Sequence, residues 1–202
     1  MKKIVFFLML TILFGQEYVG SKKCKSCHKK KLSGAQYKVW ENSKHANAFE
    51  TLKTPEAIET AIGLGINTNP WETPECVRCH VTGFDNGGYE IKGDEFWSQI
   101  TDKGKPTKEV KRMTGLQGVG CEACHGPGSK YKSKTKMEAI FYGDISGTKL
   151  GYTIPTEDTC KQCHNEKSPN FAGFKFEEKL HEIQHPYPDG FRESKKTKYK
   201  SK

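Results

Sequence analysis

All eight cysteines of this chain fall into four C-x-x-C pairs: Cys24/Cys27, Cys76/Cys79, Cys121/Cys124 and Cys160/Cys163. A histidine follows each pair at once, at His28, His80, His125 and His164. C-x-x-C-H is the attachment signature of c-type haem. Two thiols three residues apart reach the two vinyl groups on one edge of a porphyrin, and the next residue offers its imidazole to the iron as proximal ligand. A disulfide scaffold leaves the four histidines unexplained, because cysteines at i and i+3 seldom staple a fold. Zinc ribbons pair their C-x-x-C units about 15–20 residues apart. Here 48, 41 and 35 residues separate successive pairs, too many for that pattern. The sequence therefore implies four covalently attached c-type haems, with all eight thiols expected at porphyrin edges.

Four haems also explain a composition that is otherwise hard to fold. Hydrophobic residues make up 34% of the 202 positions and charged ones 28%. Counting glycine and leaving out tyrosine raises the apolar share to about 40%, still below the ordinary value of about 45–50%. Porphyrins are large, flat and apolar, so a chain can wrap them in place of a core of its own. The expected fold is mainly α, loop-rich and wrapped around the four haems, and it depends on them as metal-coupled folds depend on their metal.

Lys2 and Lys3 precede a largely apolar run, Ile4–Phe14, before polar sequence begins at Gln16. That layout reads as a signal peptide over 1–15, the run being shorter than the roughly 20 residues of a spanning helix. It predicts a periplasmic or otherwise exported protein. The reading continues with one tetrahaem domain over 16–190 and a basic, flexible tail over 191–202, where six Lys and Arg face only Glu193. The formal charge of +9 falls to +7 without the leader. Haem propionates lower it further, so the excess charge does not argue for a nucleic-acid partner.

Three histidines remain for the distal faces of four irons: His45, His181 and His185. A doubly ligated iron only passes electrons, whereas an open one also binds small molecules. The spacing of His45, Ala48, Phe49 and Leu52 predicts one helical face within a helix over 34–52. His181 and His185, four apart, are expected to share a face of a helix over 174–185 ended by Pro186. Met113, Met137 and several lysines are alternative ligands. Pro55–Ile62 reads as a helix with proline in its first turn. Val81–Ile91, with Asp85-Asn86-Gly87-Gly88 at its centre, reads as a β-hairpin. Gly126-Pro127-Gly128 reads as a sharp turn after His125.

Several blocks resemble the tetrahaem cytochrome c-554 family. They are Tyr18–Cys24 with CKSCH and the following Trp40…His45-Ala46-x-Ala48, then CVRCHVTGF with GGYEI, and TGLQGVGCEACHGPG at 114–128. The resemblance covers roughly residues 18–190. It implies an exported carrier passing electrons between redox proteins, with a hydroxylamine-oxidoreductase-like donor. It further implies that His45 serves the haem of His125 and His185 that of His164, while His80 holds an open iron. The distal ligand of the first haem would come from a histidine shortly after the third motif, but residues 130–137 (KYKSKTKM) contain none. The haem of His28 then takes His181, a lysine or methionine, a histidine from another subunit, or nothing. Two rival functions follow. One is reduction of nitric oxide or a related small nitrogen species at the open haem, and the other is service as a subunit of an extracellular cytochrome filament.

Overall fold

The computed structural model describes residues 15–194, so nearly all of the predicted leader and the last eight residues of the tail lie outside the described residues. Five helices reach six residues or more: α1 (Gln36–Glu41), α2 (Pro55–Gly63), α3 (Lys108–Thr114), α4 (Lys134–Tyr142) and α5 (Phe176–Ile183). The other helical segments among the described residues run three to five residues, and β-structure is confined to the isolated bridges Val81–Gln117 and Ile100–Pro106. The mainly helical, loop-rich expectation holds. Among the described residues no helix is long and apolar enough to cross a membrane.

Local chemistry accounts for where these helices begin and end. Thr54 accepts from the Ala57 N–H with Pro55 just behind it, so α2 starts where the sequence placed it. The predicted 34–52 helix is broken. After α1 the backbone turns extended at Ser43, a 3-10 turn carries His45, and helix resumes at Ala48–Thr51. Asn42 and Ser43, residues that favour helix ends over interiors, sit at the break. The second correction concerns α5, which stops at Ile183. Gln184 is extended (ψ 144°), so His185 leaves the helix and does not share a face with His181. Pro186 is the physical reason, since a proline drives the chain just before it from helical backbone.

The predicted hairpin over Val81–Ile91 forms its turn but no ladder. The Tyr89 N–H bonds the Thr82 carbonyl and the Gly88 N–H that of Gly83, both at 2.9 Å. Val81 bridges Gln117, the Thr82 N–H goes to the Leu116 carbonyl, and the Glu90 N–H goes to the Met113 sulfur. Partners outside the turn have taken the groups a ladder would use.

The core is small and lies under the second motif. Phe49, Leu52, Val77, Val81, Tyr89, Met113 and Leu116 form it, with Trp71, Phe96 and Trp97 packed against it. Val77, fully buried, stands between the two cysteines of the second motif. Met113 is thus a core residue with its sulfur engaged, which corrects its candidacy as an iron ligand. A smaller aromatic cluster lies at the C-terminal end. Phe191 stacks on Tyr187 at 4.9 Å, both meet Phe141, and the Arg192 guanidinium lies over Phe141 at 5.2 Å. Phe191 and Arg192 accordingly belong to the folded part, beyond the expected boundary at residue 190.

Candidate haem centres

A single turn-and-bend segment, 116–120, ties the second motif and the His45 turn to the third motif. Gly118 N–H bonds the His80 carbonyl and Val119 N–H the His45 carbonyl, while the Val119 carbonyl accepts from the Trp40 indole. The Thr82 hydroxyl donates to the Gly118 carbonyl and accepts from the Gly120 N–H, both at 2.8 Å. Gly118 must be glycine, because it has φ +82° and a Cβ there would stand 2.6 Å from the Ala46 carbonyl oxygen.

The third motif opens directly from this strut. Its Cys121 N–H bonds the Ser21 hydroxyl, and its Glu122 carboxylate, 1% exposed, accepts the backbone N–H groups of Val19, Gly20 and Gly128 at 2.6–3.0 Å. One buried carboxylate thus joins the first motif's leading segment to the Gly-Pro-Gly turn that follows His125. Sequence reading missed it. The signal was present: among the eight residues lying between paired cysteines, Glu122 alone is acidic.

Seven histidines divide into two facing pairs and three others. The rings of His45 and His164 stand 6.0 Å apart, and those of His125 and His185 also 6.0 Å apart. An imidazole nitrogen binds a first-row metal at about 2 Å, so two rings on opposite sides of one iron have centroids about 6 Å apart. Both pairs fit an interposed haem iron. The pairing exchanges the one the resemblance implied, since His45 faces the fourth motif and His185 the third. His28 and His80 make no ring contact with another histidine among the described residues, although His185 is near enough to His28 to lower its pKa alongside burial. His181 is exposed, with its Nδ1 against the Gln184 amide at 2.6 Å, and no motif histidine faces it.

Hydrogen bonds also fit the rings for ligation. His80 Nδ1 lies 2.5 Å from the Ala48 carbonyl, His125 Nδ1 3.1 Å from that of Thr153, and His185 Nδ1 2.8 Å from that of Ile183. A carbonyl only accepts, so each Nδ1 carries the proton and each Nε2 presents a lone pair, as ligating histidines require. Burial pushes the pKa values of His28, His45, His125 and His164 below the ordinary imidazole value, which favours the neutral form a metal takes. His164 is the most open of the four motif histidines and stacks on Phe174 at 4.8 Å.

The thiols show how the motifs neighbour one another. Cys24 is a near neighbour of Cys121, and Cys79 of Cys163, each thiol acting on the other's titration. Cys124 and Cys160 are close enough for their charges to interact. The motifs are therefore strung in the order first, third, fourth, second.

Cys27 differs from the other seven thiols in its exposure. It is exposed, whereas the other seven cysteines are half-buried. Its thiol meets the neighbouring Ser26 hydroxyl at 3.8 Å, a contact within its own helical turn. The reason is local: the four-residue helix Lys25–His28 that carries it has no buried residue and lies at the surface. The polypeptide thus encloses seven of the eight predicted attachment thiols in part and leaves Cys27 open. Its place as an attachment residue rests on the C-x-x-C-H spacing, since a thioether needs reach to the vinyl group and not burial.

The chain is similar to known cytochromes. The sequence profile of the family "Cytochrome c554 and c-prime" matches residues 23–97 and 90–126. Cytochrome c-554 of Nitrosomonas europaea is 33% identical over 159 residues, covering 73% of this chain and 57% of that protein, less than two thirds of its length. The solved structure of the reduced state of cytochrome c554 from the same organism is 28% identical. It superposes with a TM-score of 0.56 over 85% of each chain.

Proposed function

The chain belongs to the cytochrome c554 and c-prime family, and we propose that it is an exported tetrahaem c-type cytochrome relaying electrons between two redox proteins along the order first, third, fourth, second. The observation that carries this reading is the pair of facing imidazoles, His45 with His164 and His125 with His185. Each haem supplies one reversible electron at its iron. The residues of the chain attach, space and orient. The eight cysteines would hold the porphyrin edges, and His28, His80, His125 and His164 would be the proximal ligands. His45 and His185 would supply the second imidazole to the irons held by His164 and His125. Backbone carbonyls of Ala48, Thr153 and Ile183 hold three of these imidazoles in the ligating tautomer. His181 takes no part. The donor implied by the resemblance is hydroxylamine-oxidoreductase-like.

Intact mass and a mediated redox titration of the holoprotein test this reading. Four haem increments and four reversible one-electron steps are expected, and Cys76→Ala with Cys79→Ala reduces both to three. Four haems retained in that variant would refute the attachment scheme.

A second reading is favoured by one observation, that among the described residues neither His28 nor His80 makes a ring contact with another histidine. Small-molecule binding at those two irons predicts that ferrous protein shifts its spectrum with carbon monoxide or nitric oxide. An unshifted spectrum removes it.

A further inference from the structure

The two ends of the motif string differ sharply in charge. Seven lysines and no Asp or Glu lie between residues 18 and 40, around the first motif. All seven are exposed, and Lys25 alone among them forms an ion pair in the described residues, with Glu41 at 3.0 Å. Amid them Leu32 stands 77% exposed, and the motif's own Cys27 is exposed as well. Around the second motif, residues 71–90 carry Glu72, Glu75, Asp85 and Glu90 against Arg78 only. Six of these lysines have no acidic side-chain partner among the described residues, so they repel one another. An apolar residue within a charged rim is the composition of a small, transient interface.

We propose that the lysine face around the first motif is the docking port for an acidic electron-transfer protein, with Lys22, Lys23, Lys30 and Lys31 as the steering rim and Leu32 as the apolar contact. The inference rests on the electron-carrier reading and adds which end of the string meets that partner. Complementary charge raises the encounter rate by roughly 10- to 1000-fold at low salt and loses its effect as salt screens it. A membrane surface would also attract lysines, but this face surrounds a haem-attachment motif, where an electron must enter or leave.

The test is stopped-flow reduction of the holoprotein by reduced flavodoxin, an acidic flavoprotein, across a series of salt concentrations. Lys22→Glu, Lys30→Glu and Lys31→Glu together should slow the second-order rate at least about tenfold at low salt and abolish its decline with salt. Neutralising Glu72 and Glu75 to Gln and Asp85 to Asn should leave the rate as it was. A triple lysine variant reduced at the wild-type rate overturns the proposal. So does a triple variant that loses binding to phosphatidylserine vesicles while keeping its rate with flavodoxin, because the face then belongs to a lipid surface. The mediated titration separates the two levels. If four haems do not titrate reversibly, the carrier reading itself fails; if they do and the rates are insensitive, only the port fails.

Discussion

The third and fourth motifs share five-residue chemistry but are held by different means. The third is fastened by distant partners: Val19, Gly20 and Gly128 on the Glu122 carboxylate, Ser21 on Cys121, and Thr153 on His125. Among the described residues the backbone and polar side chains of the fourth make only local hydrogen bonds, although its Cys163 lies beside Cys79 of the second motif. Thr156 and Thr159 cap its helix reciprocally, and the Asn165 side chain closes its end on the carbonyls of Lys161 and Gln162. Beyond these, two rings reach His164 from outside the motif, those of His45 and Phe174. The polypeptide prepares the third site in advance. The fourth depends more on the group bound there, and folding and cofactor binding are coupled most closely at that end.

Removing the buried carboxylate should have the largest effect. Glu122→Leu leaves three N–H groups, two buried and that of Val19 partly so, without an acceptor, at about 1–3 kcal/mol each, so a loss on the order of 4 kcal/mol is expected in chemical denaturation of the holoprotein. A loss below about 1 kcal/mol would mean the third motif is no better prepared than the fourth. At the fourth, Phe174→Ala removes a stacked ring and should cost about 1 kcal/mol. A cost matching that of Glu122→Leu would erase the distinction. Thr156→Ala removes one half of a capping box on an exposed helix and should cost about 0.5–1 kcal/mol, read by the same denaturation.

Much of this was legible in the sequence because c-type attachment is local. Five consecutive residues carry both thiols and the proximal imidazole, so the four centres, the mainly helical class and the start of α2 at Pro55 could all be read directly. What escaped depends on distance along the chain. Glu122 matters because residues about a hundred positions earlier bring their N–H groups to it. The pairing of His45 with His164 spans 119 positions, which periodicity does not see. The motif likewise makes all eight thiols look equivalent, and only the packing around each sets Cys27 apart. Helical spacing also placed His181 and His185 on one face. Proline's effect on the chain before it was the local rule that decided otherwise, turning His185 toward His125 and leaving His181 in solvent. The hairpin failed for a different reason, its edge groups being claimed by Leu116, Gln117 and Met113.

The central claim is that this chain closes two irons with two imidazoles each and leaves those of His28 and His80 without a distal imidazole. Electron paramagnetic resonance of the fully oxidised holoprotein, with the bis-imidazole low-spin centres counted against total haem, tests it most directly. Two such centres among four haems are expected, falling to one in His45→Ala. Three or four in the unaltered protein, or no change in that variant, would contradict it.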